Sequence, residues 1–126
     1  MTLSFDPAGE GFAKVLRDYQ VESMRLVWER EDTGVISREV WQRVNEQLRG
    51  MRTISRASII NFLNYMVDEG VLNYKEETCK GGVRRIYFPR LNEREFKKYI
   101  ARMVLTSLTR DFPEETEETL KELNLV

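Results

Sequence analysis

One stretch of the sequence carries short polar and basic side chains where a surface helix more often has Lys and Glu. Residues 55 to 72 read SRASIINFLNYMVDEGVL, and the helical spacing of Ile59, Phe62 and Leu63 places them on one face. The opposite face carries Arg56, Ala57, Ile60, Asn61 and Asn64. Guanidinium and amide groups hydrogen-bond base edges, and small apolar groups contact a thymine methyl. This face therefore has the chemistry to read the major groove of double-stranded DNA.

Hydroxyl and basic groups flank this helix on both sides and are candidates for phosphate contacts. They are Arg52 in the preceding turn, Ser55 and Ser58 in the first helical turn, and Lys75, Lys80, Arg84 and Arg85 in the segment that follows. Because side chains alternate along a strand, the two arginines point to opposite faces. We expect Lys80 and one arginine to reach DNA and the other arginine to pair with Glu76 or Glu77. A solvated polar face without a ligand is the alternative.

Charge and composition narrow the classes of function. The formal net charge is -1, but residues 1 to 32, 33 to 90 and 91 to 126 carry -3, +4 and -2. The positive charge thus surrounds the candidate helix, a distribution that bears on partners. Cys79 is the only cysteine and histidine is absent, so no internal disulfide, metal site or cofactor is predicted. The sequence also lacks a glycine-rich phosphate loop and a paired-carboxylate site, and we therefore expect that the protein is not an enzyme.

The helices and strands that would position these residues are predicted from the spacing of apolar residues and from capping and turn residues. Helices are predicted over residues 18 to 30 and 37 to 48, with Asp18 and Ser37 as N-caps and a short strand at Val35-Ile36 between them. Ser55 caps the third helix and Gly70 ends it. Two β-type runs separated by TCKGG then predict a hairpin. Trp28 and Trp41 are expected in the core.

This order predicts a mainly α fold with a small β-hairpin, a winged helix-turn-helix with C-terminal dimerisation helices. The third helix is the recognition helix and the hairpin is the wing. We divide the chain into a flexible N-terminal arm (residues 1 to 15), the winged-helix DNA-binding domain (16 to 90) and a C-terminal helical dimerisation region (91 to 126).

The helix predicted after Asn92 has a broad apolar stripe. Its members are Phe96, Tyr99, Ile100, Met103, Val104 and Leu108. A short winged helix has little surface left to cover such a stripe, so we expect a homodimer interface there. Two recognition helices roughly 34 Å apart would then read half-sites one helical turn apart.

At these residues the sequence resembles the penicillinase-repressor family of winged-helix regulators, the BlaI/MecI/CopY type. The matching segments are ESMRLVW, ISREVWQRV, SRASIINFL leading into DEGVLNYK, and IYFP at the end of the wing. The resemblance covers roughly residues 16 to 89. It implies a homodimeric repressor of a palindromic operator, with Ala57, Ser58, Ile60 and Asn61 facing bases. The chain lacks the C-terminal cysteine cluster of copper-sensing members and the Asn-Phe cleavage junction of β-lactam-responsive members, so the effector is unknown.

A second class of function stays open, because many DNA-binding domains are more basic than this chain. In that case the winged helix would be a protein-protein interaction module in a transcription or assembly complex. No apolar run approaches the roughly 18 residues that span a membrane, and the N-terminus has no signal segment. We therefore expect a cytoplasmic protein with no membrane partner.

Overall fold

The computed structural model of the protein describes residues 3 to 126. It has a 3₁₀ helix (Gly11–Lys14), α1 (Asp18–Glu29), β1 (Val35–Ile36), α2 (Ser37–Gln47), α3 (Arg56–Asp68), β2 (Leu72–Cys79), β3 (Gly82–Pro89), α4 (Glu93–Asp111) and α5 (Pro113–Glu122). The element order confirms the predicted winged helix-turn-helix. Helices α2 and α3 form the helix-turn-helix pair, and β2 and β3 form the wing.

The core lies where α1, α2 and α3 meet. Each helix contributes apolar side chains with no exposed surface: Met24 and Val27 from α1, Val40 and Val44 from α2, and Ile59, Leu63 and Met66 from α3. Burying one such side chain contributes about 1.5 to 3 kcal/mol relative to leaving it exposed. The apolar face of α3 is therefore fixed on the other two helices, which leaves its polar face outward.

The sheet is antiparallel, with the strand order β1-β3-β2. In register, Val35 lies opposite Tyr87, and on the other side Tyr74 lies opposite the same residue. The two-residue turn at Lys80 and Gly81 joins β2 to β3, and Gly81 and Gly82 have φ of 99° and 132°. Glycine adopts these left-handed angles without the steric cost that a β-carbon adds, which permits so tight a turn.

The predicted ends of α3 are confirmed. Ser55 Oγ accepts a hydrogen bond from Ser58 N at 3.1 Å, as an N-cap does. At the other end Gly70 has φ of 79°, Gly70 N donates to Val67 O, and Val71 N donates to Met66 O. These two bonds form a Schellman motif, which satisfies carbonyls that the helix itself leaves unpaired.

The predicted caps of α1 and α2 are each wrong by one residue. The N-caps are Arg17 and Ile36, and neither has a capping side chain. Instead, a side chain inside each helix accepts from the N-cap backbone: Gln20 Oε1 from Arg17 N at 2.9 Å, and Glu39 Oε1 from Ile36 N at 3.2 Å. This is one half of a capping box, and each N-cap lies one residue earlier in the chain than predicted.

The N-terminal segment differs in part from the predicted flexible arm. Residues 1 and 2 of that arm lie outside the described residues. The 3₁₀ helix Gly11–Lys14 ends it, Asp6 N donates to Lys14 O, and the Phe12 ring lies 5.4 Å from the Trp28 ring. Pro7 and the two glycines of this segment, Gly9 and Gly11, allow the chain to turn back on itself.

The chain forms two compact units, of which the first ends at Glu93 and the second comprises Arg94–Val126. The first unit contains the winged helix. The second contains nearly all of α4 and the whole of α5. Within the second unit, Phe96 is buried and its ring stacks with Tyr99, with 5.9 Å between ring centroids.

Candidate nucleic-acid interface

The outward face of α3 carries the six residues predicted to read bases. Arg56, Ala57 and Asn61 are exposed, and Ser58, Ile60 and Asn64 are half-buried. Exposure on this face falls from the N-terminal turn, where Arg56 lies, toward Asn64 in the third turn. The first two turns of α3 are thus the part that is most open to a duplex.

The turn before α3 is fixed by a group that we call the turn cluster, formed by Trp41, Asn45 and Ile54. Asn45 Oδ1 accepts from Ile54 N at 2.7 Å, and Asn45 Nδ2 donates to Ile54 O at 3.0 Å and to Trp41 O at 2.9 Å. Trp41 Nε1 also donates to Ile54 O at 3.0 Å. Ile54 directly precedes the N-cap of α3, so the turn cluster determines where α3 begins.

The serines at the N-terminus of α3 are engaged with each other. Ser55 Oγ donates to Ser58 Oγ at 2.9 Å, in addition to accepting from Ser58 N. The Ser58 backbone donor is therefore used by the cap. The Ser58 hydroxyl keeps its proton for a further acceptor, because it accepts rather than donates in this pair.

The two arginines near this helix end each have an intramolecular partner. The Arg56 guanidinium lies over the Trp41 ring, 5.8 Å from its centroid. Arg52 forms an ion pair with Asp18 at the start of α1. Both side chains of that pair are about half exposed, and such surface pairs contribute only about 0 to 1 kcal/mol. Either arginine can exchange its partner for a stronger ligand.

The wing separates its basic residues into different environments. Lys80 is exposed at the tip. Arg84 forms an ion pair with Glu77, directly across the two strands, which confirms the prediction that one arginine pairs with a neighbouring glutamate. The Lys75 ammonium lies over the Phe88 ring, 5.2 Å from its centroid. Lys75, Lys80 and Arg84 are all exposed, and of these Lys75 and Arg84 are engaged within the wing.

The other wing arginine joins the wing to α3. Asn64 Oδ1 accepts from Arg85 Nη1 at 3.0 Å and from Tyr87 Oη at 2.6 Å. We call these three residues the wing cluster. Burial raises the pKa of the Tyr87 phenol above its ordinary value of 10.0, an effect that the charge of Arg85 opposes more weakly. The phenol therefore keeps its proton and donates it to Asn64.

Several residues that build this surface were not singled out from the sequence. Asn45 is one, and its only signal is an amide inside a helix, where this residue type is unfavourable. Tyr87 is another, because an aromatic residue in a strand ordinarily indicates packing and not a hydrogen bond to a distant helix. The tryptophans predicted as core residues are half-buried, and each donates its indole N–H to a backbone carbonyl, Trp28 to Leu91 at 3.0 Å.

The predicted dimerisation residues belong to the second unit. Phe96 is buried, Tyr99, Ile100, Met103 and Val104 are half-buried, and Leu108 is 42% exposed. Beyond these, Leu105 and Phe112 also expose large apolar side chains. The described part of this unit thus presents apolar surface toward the C-terminal end of α4.

Along residues 3 to 126 no helix is long and apolar enough to cross a membrane. The same residues contain no group of three or more Cys, Asp or Glu side chains placed to hold a metal ion. The α3 face and the wing are therefore the site that we consider further.

Comparisons with known proteins add the following. No protein-family model matches the chain, and no curated protein matches it, so the resemblance to the penicillinase-repressor family stays a prediction. Among solved structures, the chain is similar to the crystal structure of a "putative transcriptional regulator" from Thermoplasma acidophilum. The two are 13% identical, the match covers 79% of this chain and 93% of that one, and the TM-score is 0.47.

Proposed function

We propose that this chain is a sequence-specific DNA-binding transcription regulator without catalytic activity. The observation that carries the proposal is the geometry of α3. Its apolar face is buried, its N-terminal turn is fixed by the turn cluster, and Arg56, Ala57 and Asn61 are exposed on the outward face. A helix so placed enters a major groove about 12 Å wide, because its exposed side chains are short or flexible.

These side chains on the outward face of α3 and at the wing tip have the following chemical roles in the proposal. Asn61 pairs with the N6 and N7 edge of adenine, Arg56 with N7 and O6 of guanine, and Ala57 and Ile60 contact thymine methyl groups. Lys80 at the wing tip contacts a phosphate.

The intramolecular partners of the basic groups do not prevent these contacts. Leaving the Trp41 ring costs Arg56 about 0.5 to 1 kcal/mol, whereas a bidentate pair with guanine contributes about 1 to 3 kcal/mol. Arg52 likewise exchanges a half-exposed ion pair for a phosphate, which adds a released counterion. The balance favours DNA in both cases.

We further propose that the chain acts as a homodimeric repressor on a palindromic operator, with the first unit on DNA and the second between protomers. The exposed Leu105, Leu108 and Phe112 support this part, because burying them against a second copy removes apolar surface from water. Two-fold symmetry would also double the few phosphate contacts of each subunit.

The test is selection of bound sequences from random DNA, followed by affinity titration of the selected and a scrambled duplex at several salt concentrations. Asn61→Ala should lose about 1 to 3 kcal/mol on the selected duplex and relax one base preference. Lys80→Ala should weaken both duplexes alike and lower the salt slope by about one per subunit. Lys121→Ala in α5 removes the same charge from the second unit and should change neither. No selectable sequence, or affinity that is insensitive to salt, would contradict the proposal.

A second candidate is a protein-interaction module. It is favoured by the internal engagement of three basic side chains, Arg52 with Asp18, Arg84 with Glu77 and Lys75 with Phe88, in a chain of net charge -1. A stable complex with a protein partner that survives purification, together with no DNA binding at low salt, would favour this function over the first.

A further inference from the structure

Asn64 was predicted to read a base, but its oxygen already has two donors. The guanidinium of Arg85 has no acceptor atom, so the atom of Asn64 that faces it at 3.0 Å is the oxygen Oδ1. The Tyr87 hydroxyl lies 2.6 Å from the same oxygen. A carbonyl-type oxygen has two lone pairs, and both are therefore occupied.

This arrangement conflicts with the recognition of adenine. The bidentate pair of an asparagine with adenine needs the amide oxygen as acceptor for N6 and the amide nitrogen as donor to N7. Because both lone pairs of Oδ1 are occupied, Asn64 can offer DNA only the N–H donors of its amide nitrogen. To read adenine it would have to leave Arg85 and Tyr87, and Tyr87 is only 2% exposed, so its hydroxyl would lose a partner in a place that water hardly reaches.

Arg85 is held from a second direction. Its guanidinium lies 3.8 Å from the centroid of the Tyr74 ring on β2, while its Nη1 donates to Asn64 on α3. One side chain therefore connects the recognition helix to both strands of the wing. Arg84, the preceding residue, faces the other side of the sheet and pairs with Glu77, which also belongs to the wing.

We propose that Asn64 and Arg85 are positioning residues, not DNA contacts: through Oδ1 they fix the wing against the recognition helix and so set where Lys80 meets the phosphate backbone. The first half of this statement concerns the free protein, and the second rests on the proposed function. Adenine reading then belongs to Asn61, which lies nearly one helical turn earlier and is exposed.

The first experiment needs no DNA. Thermal unfolding is measured for Asn64→Ala, Arg85→Ala and the double variant, with Asn64→Ala and Arg84→Ala as the matched control pair. We expect each single variant of the wing cluster to lower Tm by on the order of 4 °C, and the double variant to lower it by clearly less than the sum. The control pair should be additive. Additive losses for Asn64 and Arg85 would overturn the proposal whatever the protein binds.

The second experiment measures positioning on DNA. Asn64→Ala, Lys80→Ala and their double variant are titrated with the selected and scrambled duplexes under conditions where all remain folded. Asn64→Ala should weaken both duplexes equally and lower the salt slope by about one per subunit, as Lys80→Ala does, and the double variant should bind no more weakly than the weaker single. Asn64→Asp keeps the acceptor for both donors, so its salt slope should stay near that of the unsubstituted protein.

The outcomes separate the possible roles of Asn64. Loss of one base preference in Asn64→Ala, additive with Lys80→Ala, would show a base-reading residue and overturn the proposal. Unchanged DNA binding would overturn it too. If the unsubstituted protein binds no duplex, the proposed function fails, and the unfolding cycle alone still decides whether the wing cluster exists.

Discussion

Replacing Asn45 by alanine should destabilise the protein by about 1.5 kcal/mol. Ile54 is 8% exposed, and its N–H donates to Asn45 Oδ1 at 2.7 Å, so the substitution leaves a buried donor without a partner at a cost of about 1 to 3 kcal/mol. Ile54 O keeps the Trp41 indole as donor and adds little to the loss. The better helix propensity of alanine offsets roughly 0.5 kcal/mol.

The assay is chemical denaturation with thermal unfolding, where a loss of about 1.5 kcal/mol corresponds to a Tm about 6 °C lower for a chain of this length. Asn45→Asp is the sharper variant, because it keeps the acceptor for Ile54 N but turns an oxygen toward the carbonyls of Trp41 and Ile54. It should lose at least as much as Asn45→Ala. Asn61→Ala, an exposed amide on α3, is the control and should stay within about 0.5 kcal/mol. Wild-type stability in Asn45→Ala would refute the assigned role of the turn cluster.

Three further predictions concern the backbone, the pH dependence and the second unit. Gly34→Ala should destabilise the protein by about 1 to 3 kcal/mol more than Gly50→Ala in denaturant titrations. Both glycines have positive φ, but a β-carbon added at Gly34 would lie 2.5 Å from the Ile86 side chain, whereas one added at Gly50 would have no atom within 4 Å. The pKa of Glu29 is lowered from its ordinary 4.5, chiefly by the hydrogen bond from Arg43, so the stability lost in Arg43→Ala should be fully present above pH 4.5 and should vanish as the pH falls through the folded-state pKa. A loss that grows in acid would contradict this. Leu108→Glu should shift a dimer to monomer in light scattering with the far-UV spectrum unchanged, and an unaltered mass of a dimeric protein would remove Leu108 from the interface.

The elements with local signals could be predicted from the sequence. The third helix is the clearest case, because Ser55 and Gly70 mark its ends and both roles depend only on neighbours along the chain. The wing was predictable for the same reason, since Gly81 in the two-residue turn and Gly82 directly after it supply the positive φ that so tight a connection needs. The exposed face of α3 was predicted from the helical spacing of its apolar residues.

Contacts between distant elements could not be predicted in this way. Periodicity placed Asn64 on the outward side of α3, but only the register of β3 determines that Arg85 and Tyr87 reach its oxygen. The displaced starts of α1 and α2 have a related cause, because residue type alone does not decide whether the N-cap or the third helical residue supplies the acceptor. A sequence pattern indicates which face a side chain occupies, and it leaves open which of its atoms are already used.

The two indole groups provide fluorescence reporters at two connections between elements: the turn before α3 and the segment before α4. Trp41 donates to the carbonyl that precedes α3, and Trp28 donates to Leu91, just before α4 begins. Indole emission shifts when its hydrogen bonding and solvent contact change, so intrinsic fluorescence reports on both places without an added dye. With one tryptophan replaced by phenylalanine, the emission of the other reads its own connection alone, and Arg56 over the Trp41 ring makes that signal responsive to whatever draws the guanidinium away.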